Sequence, residues 1–145
     1  MLKEEKLLIS IRILIAEDAS DIRLLITRLL ARQGATVVGA EDGLDAIAKV
    51  KSADVDCAFD IILMDLQMPI MGGHEAAPLI RAEGFSGPII ALTGHSVEFA
   101  QEQDNAFDFD GYLLKPVSTQ KLIDKILQHC PAKIAQTSGA ADGEG

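Results

Sequence analysis

At 145 residues, with 22 acidic side chains against 13 scattered basic ones and a formal net charge of −9, the chain has the length of one domain, and its charge disfavours direct binding to nucleic acid phosphates. No apolar stretch approaches the ~18–20 residues needed to cross a bilayer, and residues 1–9 alternate charge with leucine instead of forming a signal-peptide core. Membrane insertion by this chain is excluded on that reading, and a cytoplasmic location is expected. Cys57 and Cys130 have neither metal-ligand nor disulfide-framework spacing and read as ordinary thiols of a reducing compartment.

Residues 1–10 read as an N-terminal extension, 11–130 as the domain and 131–145 as a disordered tail or linker, because small and polar residues prevail there without periodicity. The β-branched and aliphatic run 11–16 is the first strand, followed at once by Glu17-Asp18. Ser20 is a suitable N-cap for a helix over 21–33, with Ile22, Leu25, Ile26, Leu29 and Leu30 at helical spacing and Gly34 closing it. Residues 36–40 form a second strand, and 43–51 a short helix with Leu44, Ile47 and Val50 inward. A third strand over 61–64 leads to Asp65. Gly72-Gly73 then breaks the chain, and a helix over 74–82 ends near Gly84, with Pro78 expected to kink or shorten it. The fourth strand, 88–92, ends at Thr93, and a fourth helix lies somewhere in 96–105, where apolar positions are few. Residues 111–114 make the fifth strand, followed by Lys115. The last helix, 119–128, is capped by Ser118 or Thr119, buries Leu122, Ile123, Ile126 and Leu127, and stops at Cys130-Pro131.

Five alternations of strand and helix predict an α/β fold, a five-stranded parallel sheet covered on both faces by helices. Ligands of such sheets gather outside the carboxyl ends of the strands, where Glu17, Asp18, Asp65, Thr93 and Lys115 all stand. Three carboxylates within about 4 Å repel by roughly 4 kcal/mol per pair at an effective dielectric near 20, so their convergence implies a divalent cation.

Glu17-Asp18 after the first strand, Asp65-Leu66-Gln67-Met68-Pro69 after the third, Thr93 after the fourth and Lys115-Pro116 after the fifth together resemble the receiver domain of two-component response regulators, over about residues 11–128. The resemblance implies a flavodoxin-like (βα)5 fold. It implies Asp65 as phosphoacceptor for a phosphoryl group carried on a histidine of a histidine kinase phosphodonor domain. Asp18, Asp65 and the backbone carbonyl of Gln67 would hold Mg2+ or Mn2+, with Glu17 acting through a water. Lys115 would contact a phosphoryl oxygen, Pro116 would follow a cis bond, and Thr93 with Tyr112 would form the switch. Gln67 and His95 would tune hydrolysis, and the fourth helix, fifth strand and fifth helix would make the output face. The Gln67-Met68-Pro69 string looks most like receivers of hybrid histidine kinases, which adds a histidine phosphotransfer protein to the expected partners; a free-standing single-domain regulator is the alternative. Gly72-Gly73, Gly94 and Pro78 depart from the family's usual residues without removing a chemical group from the site.

Taken singly, each residue has a blander meaning. Asp18 could cap a helix, Lys115 could be a solvated surface lysine, Thr93 a strand terminus and Tyr112 a half-buried aromatic. His74 and His129 read as exposed helix residues, and Met64, Met68 and Met71 as packing. Other functional classes are an aspartate-nucleophile phosphatase, a pseudo-receiver that only binds proteins, and a flavin-binding domain. The first usually carries a second aspartate where Gln67 stands, and an anion-binding loop for a flavin would be repelled by Glu17-Asp18.

Overall fold

A computed structural model describes residues 6–53, 58–94 and 108–131; the fourth predicted helix, His95, Cys57 and residues 132–145 lie outside the described residues. In chain order the elements are β1 (Arg12–Ala16), α1 (Ser20–Arg32), β2 (Thr36–Ala40), α2 (Gly43–Ser52), β3 (Ile61–Asp65), α3 (Gly73–Ala82), β4 (Ile89–Thr93), β5 (Gly111–Leu114) and α4 (Thr119–His129). The strands form one sheet in the order β2-β1-β3-β4-β5, every neighbouring pair parallel. Such a sheet must be covered on both faces, which is why β3 and β4 are buried at every residue.

Two cores result. On one face Ile13, Ile15, Ile61, Leu63, Ile90 and Leu92 meet Ile26 and Leu30 of α1 and Leu122, Ile123 and Ile126 of α4. On the other, Leu14, Ile62, Met64, Ile89 and Ala91 meet Ala46 of α2 and Ala76, Ala77 and Ile80 of α3. Alternate residues of each strand thus serve alternate faces, the period of two that pleating imposes. Leu8 is also fully buried in the first core, so the N-terminal extension is packed against the domain from Leu7 onward. Among the described residues no helix is long and apolar enough to cross a membrane.

Several helix details differ from the expectation. Ala19, not Ser20, is the N-cap of α1, without a side-chain cap; the turn that presents Glu17 and Asp18 brings the helix in one residue early. Only Ile26 and Leu30 of α1 are buried, whereas Ile22 and Leu25 are 42% and 57% exposed. Helical spacing names a face, but only the part of the helix that overlaps the sheet can bury it. In α2 the inward side holds Gly43 and Ala46, and Leu44 is exposed. The cause is a close approach: Gly43 N donates to Met71 O at 2.9 Å, and a Cβ there would lie 2.7 Å from that oxygen. Asp42 caps this helix by accepting from Asp45 N at 2.8 Å. Pro78 does not shorten α3, which runs from Gly73 through it to Ala82.

Arg81 of α3 fastens the run-in to β5. Its Nη1 donates to Phe85 O and Gly87 O at 3.2 and 2.6 Å, and its Nη2 to Asp108 O and Asp110 Oδ2 at 3.0 and 2.8 Å. Asp110 Oδ2 also accepts from Ile89 N at 2.9 Å, joining the starts of β4 and β5.

The loop after β3 carries local strain. Met71 N donates to Pro69 O at 2.7 Å across Ile70, whose φ is +70°, a γ-turn with a β-branched residue in left-handed backbone. Ile70 is 76% exposed and contributes little packing. Ile70→Gly is therefore expected to raise the unfolding free energy by about 0.5–1 kcal/mol, the strain relieved exceeding glycine's added chain entropy. Urea titration checks this; a lowered midpoint would show that the Ile70 side chain stabilises the loop.

Candidate functional site

Parallel register brings the chemistry together. Ala16 pairs with Met64, Asp65 with Leu92 and Thr93 with Leu114, so Glu17, Asp65, Thr93 and Lys115 fall at adjoining strand ends. The strand order reverses between β1 and β3, the point at which helices diverge to opposite faces and leave a crevice. Glu17 and Asp65 flank it.

Lys115 Nζ lies 2.8 Å from Asp65 Oδ2 and 3.2 Å from Glu17 Oε1. Asp65 Oδ1 accepts from Gln67 N at 3.1 Å, and Glu17 Oε2 from Ala19 N at 3.2 Å. Glu17, Asp65 and Thr93 are 1%, 3% and 2% exposed, while Asp18 is open to solvent. One oxygen from each of Glu17, Asp18 and Asp65 can lie within 4.8 Å of the others. The contact of Glu17 Oε1 with Lys115 is an ion pair without hydrogen-bond alignment, and this buried oxygen accepts no hydrogen bond among the described residues. An acidic oxygen so placed, beside two more carboxylates and only one lysine, fits a hard divalent cation with oxygen ligands.

Burial chiefly, then the charge of Asp65, holds the Glu17 carboxyl above its ordinary value of 4.5, against the lowering effects of the Ala19 N–H and Lys115. Burial alone would lower Lys115, but its hydrogen bond to Asp65 and the charges of Asp65 and Glu17 outweigh that and raise it above 10.5. A raised carboxyl in the folded state costs stability as pH rises from the unfolded value through the folded one. Glu17→Gln is thus expected to raise the metal-free melting temperature at about pH 7.5 by a few degrees and to change it little near pH 4. Melts in chelator at both pH values decide it; an equal shift at both would assign the gain to packing.

The other expected site residues are distributed as follows. The side chain of Gln67 is exposed and its N–H rests on Asp65. The Lys115–Pro116 peptide bond is cis. Lys115 N donates to Thr93 O at 2.7 Å, tying the ends of β4 and β5. Tyr112 is half-buried, its ring 5.8 Å from that of Phe109. His74 is not exposed as expected: it is half-buried and meets Phe109 edge-on at 5.9 Å. His129 is half-buried too, and His95 lies outside the described residues. One residue the sequence reading passed over is Arg23, whose Nη1 donates to Glu17 O at 2.6 Å; the glycine inside β2 was its only signal. A cavity of about 500 Å3, lined in part by Phe59, Asp60, Glu83 and Phe85, opens at the opposite end of the sheet and holds none of these groups.

The response regulator receiver domain family matches residues 13–127. Sensor protein GacS of Pseudomonas syringae pv. syringae is 37% identical over 122 residues, covering 81% of this chain but only 13% of that much longer relative. Protein PilG of Pseudomonas aeruginosa is 31% identical over 124 residues, covering 84% of this chain and 89% of its own. Among solved structures, the receiver domain of sensor histidine kinase PA1611 from P. aeruginosa PAO1, with a magnesium ion coordinated in its active site cleft, is 29% identical. It covers 83% of this chain and 97% of its own with a TM-score of 0.73. Sheet order, acidic crevice and sequence match coincide over the same stretch, and the chain belongs to the response regulator receiver domain family of two-component signalling.

Proposed function

We propose that this chain is a phosphoacceptor, with Asp65 taking a phosphoryl group from the phosphohistidine of a histidine kinase in a Mg2+-dependent reaction. The observation that carries this reading is Asp65 itself: buried at 3% exposure, 2.8 Å from a lysine, and beside two further carboxylates. An Asp65 oxygen forms the new P–O bond as the P–N bond to the donor imidazole breaks, and the imidazole nitrogen leaves with the electron pair and takes up a proton. Asp18, Asp65 and the Gln67 carbonyl would hold Mg2+, with Glu17 through a water, and the ion when bound would neutralise charge on the transferring oxygens. Mg2+ is preferred over Mn2+ because the related receiver holds magnesium. Lys115 holds a phosphoryl oxygen as a point charge, Thr93 and Tyr112 form the switch, and Gln67 and His95 tune hydrolysis.

The hybrid-kinase setting is favoured by the 37% identity to GacS and by the Gln67-Met68-Pro69 string; a histidine phosphotransfer protein would then be a further partner. A free-standing regulator is the second reading, favoured by PilG, which the match covers to 89%. The test of the central proposal is intact mass after incubation with acetyl phosphate, with and without Mg2+, beside Asp65→Asn. One added phosphoryl group, only with metal and only with Asp65, is expected. No gain in a folded sample that binds Mg2+, or an equal gain in Asp65→Asn, would overturn it.

A further inference from the structure

Glycine inside a strand is destabilising relative to alanine and often marks a place where something approaches closely. Gly39 is such a residue in β2, paired with Ile15 of β1. Its backbone does not need glycine, since among the described residues the glycines with positive φ are Gly34 and Gly84. The Arg23 side chain of α1 lies directly over the bare position: a Cβ on Gly39 would lie 3.1 Å from Arg23 Cδ and 3.4 Å from Nε, so that the side chain would have to give by a few tenths of an ångström. Crossing there, the guanidinium reaches the backbone carbonyl of Glu17 and donates to it from Nη1 at 2.6 Å.

That carbonyl belongs to the turn that aims the acids. Glu17 N donates to Ala40 O at 3.0 Å, and Arg23 N to Ala19 O at 2.9 Å. Ala19 N donates to Glu17 Oε2 at 3.2 Å. The three-residue turn is thus held at both backbone groups of Glu17 and both of Ala19, and Arg23 supplies two of the four contacts. Asp18 sits in the middle, exposed, and the direction of its carboxylate follows from the turn. Because Arg23 grips a carbonyl and not a carboxylate, it orders the turn without engaging the three carboxylates, one oxygen of each of which lies within 4.8 Å of the others.

We infer that Arg23 is a positioning residue for the acidic cluster, fixing through the Glu17 carbonyl the turn that presents Glu17 and Asp18 to a divalent cation, and that Gly39 is the opening through which it reaches. The inference rests on the Mg2+ reading above and extends it to a residue that touches neither metal nor phosphoryl group. Outer contacts of this kind are worth about 10-fold or more in metal affinity. Simple electrostatics has the opposite sign: deleting a positive charge near three carboxylates tightens cation binding.

Calorimetric Mg2+ titration of the full chain, with melts in chelator alongside, tests it. Arg23→Ala is expected to weaken Mg2+ binding about tenfold in a folded protein, with Arg23→Lys recovering part of the loss. Gly39→Val keeps the guanidinium charge but crowds its path with branched methyl groups, and is expected to weaken binding in the same direction; it decides the matter if Arg23→Ala does not fold. Unchanged or tighter Mg2+ binding in folded Arg23→Ala, or in Gly39→Val, overturns the role of Arg23 alone. An unaltered chain that binds no Mg2+ overturns the metal reading and this inference with it.

Discussion

Lys115→Met is expected to lower the metal-free stability of the domain by about 3 kcal/mol near neutral pH, on the order of 10 °C in melting temperature. Lys115 Nζ stands 2.8 Å from Asp65 and 3.2 Å from Glu17, whose side chains are 4% and 2% exposed. Methionine preserves the aliphatic packing and removes the charge, so two buried carboxylates lose their counterion while their mutual repulsion stays. The figure is at the low end for a broken buried pair because the lysine side chain is itself 30% exposed and partly solvated. The pH dependence separates this from a packing defect. The Lys115 pKa is raised, so its contribution is complete below 10.5 and is lost as pH climbs through the folded value. On the acid side the penalty of the variant shrinks as Glu17, with its raised pKa, takes up a proton. Added Mg2+ should restore much of the variant's stability by replacing the lost positive charge. Melts with chelator, with Mg2+ and in acid provide the check; a loss of stability independent of all three would refute the counterion role.

Leu8→Ala is expected to cost about 3 kcal/mol, although Leu8 lies ahead of residue 13, where the family match begins. The side chain is fully buried against the core formed by α1, α4 and the sheet, in the same cluster as Leu30, Ala35, Ile126 and Cys130. Leu8 N donates to Gln33 O at 2.9 Å, and Leu7 N to Gln33 Oε1 at 3.2 Å. Gly34, at φ +100°, turns the chain beneath Ile9 so closely that a Cβ there would lie 2.8 Å from Ile9 Cγ1. Ile9 is 43% exposed, and Ile9→Ala is the control, expected to cost under about 1 kcal/mol. Urea denaturation of both variants tests the contrast. Equal, small effects would mean that the N-terminal segment is not part of the cooperative core.

Much of the site was legible because strand ends are legible. A run such as 61–64 can bury both faces only inside a parallel sheet, and the polar residue that ends it must emerge at the carboxyl edge. Glu17, Asp65, Thr93 and Lys115 share that property, so their convergence required no knowledge of loops. Arg23 was not legible in the same way. An arginine in the first turns of a helix has many partners open to it, and only the fold puts Gly39 across from it. His74 was misread for a related reason: its neighbour Phe109 is 35 positions away in the chain and meets it only after β5 is laid beside β4.

By itself the sequence determined the alternation of strands and helices, the parallel sheet, and the identity of the groups at its carboxyl edge, because period and burial are local properties of short apolar runs. Tertiary structure alone decided which part of each amphipathic face is covered. Ile22 and Leu25 have the right spacing yet stay exposed, and Leu44 yields its place to Ala46 because α2 is drawn against the β3–α3 loop at Gly43. It also decided that Leu8 belongs to the core and that Arg23 holds the Glu17 carbonyl. These outcomes depend on where one element ends against another, a distance in space that no periodicity along the chain encodes.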